Sequence, residues 1–272
     1  MLEALQFDFM RNAALAGLLI SIACGVIGTF VVTKRIVFLS GSIAHAAYGG
    51  IGLGYFFGFN PVLGATLFSL GAAIGMSAIQ RRSKERADTL IGALWAIGMA
   101  IGIILIDLSG GYKANLMSYL FGSILTVPRS DLWLLLALDG TIIFFVWLFY
   151  KELVALSFDE TFSIVQNLPI GMLHTLLVSM TALTVVMMMR IVGLIMVIAL
   201  LTMPAAISSQ FARSLKKMMI MASFLGAVFT LIGLWLSYRL NLTSGASIIL
   251  VAGFSYLLSI ALKTVLGRQI TS

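Results

Sequence analysis

Long apolar runs separated by short polar turns constrain this chain more than any other feature. Runs close to 20 residues recur at 12–33, 61–79, 89–108, 131–150, 171–189, 192–209, 218–238 and 244–262. About 20 apolar residues on a helix cross the hydrocarbon of a bilayer, and a helix satisfies its own backbone hydrogen bonds there. Composition closes the alternative of a water-soluble globule. Of 272 residues, 61% are hydrophobic and 10% charged, with a mean hydropathy of +1.10, where a soluble domain carries about 25% charged residues. The reading is an all-α, polytopic membrane helix bundle of eight or nine transmembrane helices, a single domain over 1–272.

The ninth segment is the unusual one. Residues 42–58 are apolar but short for a span, and they hold His45, one of two histidines, among many glycines. Gly50, Gly54 and Gly58 recur every four residues, so on a helix they form a smooth stripe for close backbone packing. The stretch predicts a broken or recessed helix shielded by its neighbours. An imidazole beside such a stripe points to a protein-lined interior rather than a lipid face, where a buried ring usually finds a polar partner.

The net charge of +7 does not mark a nucleic-acid binder, because the basic residues sit at the ends of apolar runs. If the Lys34/Arg35 turn is cytoplasmic, alternation of nine spans puts twelve of the 17 Lys and Arg residues on that side, including Arg81, Arg82, Lys151, Lys216 and Lys217. That bias is the positive-inside pattern of a multi-pass protein of the cell (inner) membrane, with an outside N-terminus. Eight spans result if 42–58 is re-entrant.

Intramembrane ionisable groups mark function by default, and few are present. Asp139 lies inside the run 131–150, as a cation contact or a hydrogen-bonded structural carboxylate. Asp107 is near an outer end. His174 reads as an interface residue, Cys24 and the Met residues as packing. Pro204 predicts a kink in its helix, able to hinge a gate. The chain lacks G-x-x-x-x-G-K-[ST], so it binds no nucleotide cofactor by that route. It offers instead a cytoplasmic knob. Within the connector 151–169, residues 157–169 can start a short helix capped by Ser157 or Asp159, with Phe158, Phe162 and Val165 on one face.

Several blocks resemble one family. The stretch from Ser42 to Leu53, the block SYLFGSIL at 118–125, Val192-Gly193-Leu194 with ALLTMPAA at 199–206, and LNLTSGA at 240–246 stand in the order and spacing of the membrane permease subunit of bacterial ABC importers for zinc, manganese or iron. The chain is identified as similar to that family over nearly its whole length. The resemblance implies a transporter subunit rather than an enzyme. It implies a homodimer, a dimer of cytoplasmic ATPases carrying the ATP, and an extracytoplasmic metal-binding protein that delivers a divalent ion. The ion's path would run along the second and fifth helices, past His45 and Asp139. The resemblance also implies that Phe158, Asp159, Glu160, Phe162 and Asn167 form the coupling helix to the ATPase. Gly41 stands where the family often has Asp, four residues before His45, and Asn167 where it has Gly. The alternative of another class is a proton-coupled metal carrier using Asp139 and His45.

Overall fold

The computed structural model describes residues 6–82, 87–109, 122 and 124–270. Among them there is no strand, and eleven α-helices follow in order: α1 Asp8–Thr33, α2 Val37–Phe57, α3 Pro61–Arg82, α4 Ala87–Leu108, α5 Arg129–Leu148, α6 Tyr150–Phe158, α7 Glu160–Val165, α8 Ile170–Val192, α9 Leu194–Phe211, α10 Leu215–Leu240 and α11 Ser244–Ile270. Eight of these (α1, α3, α4, α5, α8, α9, α10 and α11) are long and apolar enough to cross a membrane. The chain is therefore an all-α multi-pass membrane protein.

Two helices are enclosed by the rest. The first is α1, which packs on α10, α9, α5 and α8. Its buried face is built of small residues: Ala13, Ala16, Gly17, Ser21, Ala23, Cys24, Gly25 and Gly28. A methyl group at Gly25 would overlap the backbone of Ser223, and one at Gly28 would overlap the carbonyl of Leu201. Small side chains let these backbones approach, which is how helices associate where lipid is as apolar as leucine. The buried hydroxyls of Ser21, Thr29 and Thr230 each donate to a carbonyl four residues back on their own helix, at 2.6–2.8 Å. No hydroxyl need then find a partner across the interface.

The second enclosed helix is α2, packed by α4 and α3 and touched by α8 and α9. Here the sequence-based expectation is corrected. The Gly-rich stretch is neither broken nor short; it begins at Val37 and runs unbroken for 21 residues, or about 31 Å at the helical rise. Its modest apolarity follows from its place, because every residue from Leu39 to Gly52 is buried in protein. Gly50 and Gly54 meet the backbone of α3 at Gly64 and Pro61. Gly58 does not extend that stripe. It caps the helix in the left-handed region at φ +73, with open space around its Cα, a conformation glycine adopts without a Cβ penalty. A second seam replaces it: Gly52 lies against Gly102 of α4, and Gly98 against Ala46, with a built Cβ at 98 falling 2.6 Å from the Ala46 Cα.

The two ends of the bundle are self-consistent. Asn12 at the start of α1 donates to the Val127 carbonyl at 3.2 Å, and Arg129 reaches Asp8 at 3.5 Å. Gly122 touches the backbone at Val192 and Gly193. At the opposite end, Lys34 reaches α6 and α7, and Ser77 of α3 meets His174 and Thr175 of α8. Because α3 finishes at the end where α8 begins, α2 must run from the Lys34 end to the other, and it crosses with the rest. Asn60 and Pro61 open α3. The Asn60 side chain accepts from Val62 N at 2.9 Å, and Pro61 occupies the first helical position. The less apolar stretch 109–130, with Gly110-Gly111 and Pro128, predicts a loop with a short interfacial helix near 119–125; that helix lies mostly outside the described residues, among which a 3-10 turn, Ile124–Thr126, is seen.

Candidate functional site

His45 projects from α2 toward α4 and is 8% exposed. Its ring stacks on Trp95, with centroids 4.1 Å apart and planes at 16°, and Nδ1 lies 3.0 Å from the Sδ of Met99. Trp95 and Met99 are one helical turn apart, so α4 supplies both contacts from one face. Tyr48, one turn along α2, stacks more loosely at 6.5 Å. An imidazole and a thioether are a nitrogen and a sulfur donor, and no group of three or more His, Cys, Asp or Glu residues gathers into a metal cluster among the described residues. At position 41, a methyl group would meet Ile198 of α9 at 3.6 Å. The family's carboxylate, placed there, would enter the α2–α9 seam.

Asp139 sits elsewhere. It is 4% exposed, in the middle of α5 against α1. Its carboxyl group lies beside the α1 backbone at Ala23, and Oδ2 has no hydrogen-bond partner among the described residues. Cys24 beside it lies 3.5 Å, sulfur to sulfur, from Met188. The structure therefore places His45 in the α2–α4 pair and Asp139 in the α5–α1 pair, and does not bring the two together. His174 lies in the α3–α8 seam, where Nδ1 is 2.9 Å from the hydroxyl of Ser77. Pro204 is buried within α9, which continues through it. With no amide hydrogen on Pro204, the Leu200 carbonyl four residues back lacks its usual helical donor.

The connector 151–169 is helical rather than an open loop. Helix α6 continues the chain beyond α5 and buries Leu153 and Leu156. A single extended residue, Asp159, then separates it from α7 and settles the cap. The Asp159 side chain accepts from Phe162 N at 2.9 Å, while Ser157 lies in α6 and bonds back to the Leu153 carbonyl at 2.6 Å. Asn167 ends the segment with φ +55, the left-handed terminating conformation that asparagine tolerates. Phe158, Phe162, Ile164 and Val165 are all exposed on this short element.

One residue read in the sequence only as a topology signal ties the segment down. Lys34, just past α1, is 10% exposed in its side chain. Its ammonium donates to the Leu156 carbonyl at 3.2 Å and faces the Glu160 carboxylate at 3.9 Å. Burial pushes the Lys34 pKa below 10.5, and Glu160 opposes that shift. Lys34 reads as a topology signal in sequence because its partners lie more than 120 residues away. Trp95, Met99 and the Gly98/Gly102 pair were invisible for the same reason, although glycines four apart on α4 are a packing signal in their own right.

Residues 6–263 match the model of the ABC 3 transport family. The chain belongs to the ABC 3 transport family. It is 36% identical to the manganese transport system membrane protein MntC of Listeria monocytogenes, over 91% of this chain and 88% of that one. It is 32% identical to the manganese import system permease protein ScaB of Streptococcus gordonii, covering 93% and 91%. Among solved structures, PsaBC from Streptococcus pneumoniae in complex with Fab superposes with a TM-score of 0.85 at 33% identity, covering 95% of this chain and 93% of that one. An inward-facing metal-chelate type ABC transporter shares the fold alone, with a TM-score of 0.76 at 17% identity. The chain is a metal ABC transporter permease, and its membrane location agrees with its eight apolar spans.

Proposed function

We propose that this permease forms one half of the translocation path of an ATP-driven importer of divalent metal ions, with manganese as the favoured cargo over zinc and iron. The observation that carries the proposal is α7. This capped helix of six residues exposes Phe162, Ile164 and Val165, and Phe158 at the end of α6 is exposed just before it, at the basic end of the bundle. Apolar side chains on a small solvated element are kept for a partner, and in a permease that partner is the separate ATPase. The names of the 36% and 32% identical relatives support manganese.

In this reading an extracytoplasmic binding protein releases the ion over the outer mouth of a homodimer. The ion passes His45 as a weak contact, since an ion held tightly would not leave. ATP binding and hydrolysis on the partner chains move α7, and Pro204 provides the softened point in α9 where a gate can hinge. No residue of this chain is assigned a hydrolytic role. The proton-coupled carrier needs a relay between His45 and Asp139, and their separation on different helix pairs weighs against it.

Proteoliposomes test the proposal. The permease reconstituted with its ATPase and binding protein should take up manganese only when ATP is supplied. Uptake by the permease alone, following an imposed proton gradient, would refute it.

A further inference from the structure

A cleft of about 660 Å³ opens between α1, α5, α6 and α10. Its walls are apolar, formed by Val26, Val146, Met219 and Ile220, and its mouth carries Lys151 and Lys216 with Glu152. Trp147, 74% exposed, and Tyr150 line the passage between wall and mouth. This is the sequence expected at a membrane boundary: aliphatic below, then amphipathic rings, then cations. The positive-inside bias puts the mouth in the cytoplasmic leaflet. No carboxylate lies within 4.0 Å of Lys151 or Lys216 among the described residues. Counting Glu152, the mouth holds one positive charge in excess, the complement of one phosphodiester.

A second cleft between α1 and α5, of about 630 Å³, makes the contrast. Its mouth carries Arg11 and Arg129, with Trp133 on its wall. There, Asp8 contacts both guanidinium groups. The outer cations both contact a carboxylate of the protein, whereas Lys151 and Lys216 contact none among the described residues.

We infer that the cleft between α1, α5, α6 and α10 is a binding site for one anionic phospholipid of the cytoplasmic leaflet, its phosphate between Lys151 and Lys216 and an acyl chain along Val146 and Met219. The site abuts α6, the helix that leads into α7, so its occupant braces the root of the coupling segment. This goes beyond the transport reading and stands whichever ion is carried.

Native mass spectrometry of the full chain, purified in mild detergent with equal phosphatidylglycerol and phosphatidylcholine, tests it. Each lysine favours an anionic headgroup by about fivefold, so the pair gives about 25-fold preference at this site. Wild type should retain one more phosphatidylglycerol per chain than the Lys151→Gln/Lys216→Gln variant, while Arg11→Gln leaves the number unchanged. An unchanged number in the lysine variant overturns the inference. So does a disulfide-linked dimer formed through Trp147→Cys, which would put a second copy over the cleft. A measurement free of lysine substitutions guards against misfolding. With Trp95, Trp133 and Trp235 replaced by Phe, brominated phosphatidylglycerol should quench Trp147 more strongly than brominated phosphatidylcholine. Equal quenching overturns the inference as well.

Discussion

Replacing Lys34 with Met should uncouple this permease without unfolding it. Methionine keeps the length and apolar body of the side chain and deletes its charge. Two contacts are lost, and they differ in weight. The bond to the Leu156 carbonyl, at 3.2 Å from a nearly enclosed ammonium, is a charge-assisted one, a class that contributes about 1.5–3 kcal/mol. The pair with Glu160 spans 3.9 Å to a carboxylate that is 62% exposed, so solvent screening limits it to about 0.5 kcal/mol. Together they favour the seated segment by about 2 kcal/mol, or roughly 30-fold in the seated-to-free ratio. Hydrogen exchange across 160–166 in the Lys34→Met protein should therefore quicken by about that factor, while Glu160→Gln should change it by about twofold. In proteoliposomes containing the ATPase, Lys34→Met should hydrolyse ATP with reduced metal uptake per ATP. Equal effects of the two substitutions, or unchanged exchange in Lys34→Met, would refute the ranking. The pH response has a fixed sign. Burial lowers the folded-state Lys34 pKa below 10.5, so the folded chain binds this proton more weakly than the unfolded one. The Lys34 contribution to stability then rises with pH between the lowered value and 10.5, even as the pairing with Glu160 is lost.

Four further outcomes follow from the packing. Gly102→Leu should lower the melting temperature in detergent, since overpacking costs about 1–3 kcal/mol and the α2 backbone stands where the side chain would go. Gly75→Ala, with nothing within 4 Å, should be neutral or stabilising by up to about 1 kcal/mol. Asn167→Gly should preserve coupled uptake, whereas Asn167→Val at φ +55 should cost about 1–2 kcal/mol and quicken exchange in the α7 amides. His45→Ala should alter the metal concentration dependence of uptake while leaving ATPase binding intact; uptake identical to wild type would reduce His45 to a packing residue on Trp95.

Sequence alone carried the membrane class, the long spans and the Asp159–Asn167 segment, because each is encoded locally. Apolar length, an Asp three residues before the amide it caps, and an Asn at a left-handed end need no knowledge of distant partners. It failed where partners decide. The length of α2 was underestimated because its polar ring and glycines weaken its apolarity, and they are tolerated only because α3, α4, α8 and α9 exclude lipid. Gly58 shares the four-residue spacing of Gly50 and Gly54, yet the helix ends there, and spacing on a helix means nothing beyond its last turn. His45 and Asp139, read together as pore candidates, part company once α4 and α1 are seen to hold them. Lys34 was one of many positive-inside cations until its carbonyl partner came into view.

The enclosure of α1 has a consequence in time. Its main packing partner, α10, begins at Leu215, so at about 5–20 residues per second a ribosome completes α1 roughly 10–40 s before the matching surface exists. During that interval Ser21, Thr29 and the glycine seams face lipid or the insertion machinery instead of protein. Helix α1, made well before its partner, is thus among the last to be finished, and a chain stalled before α10 would present quality-control proteases with an unclosed groove.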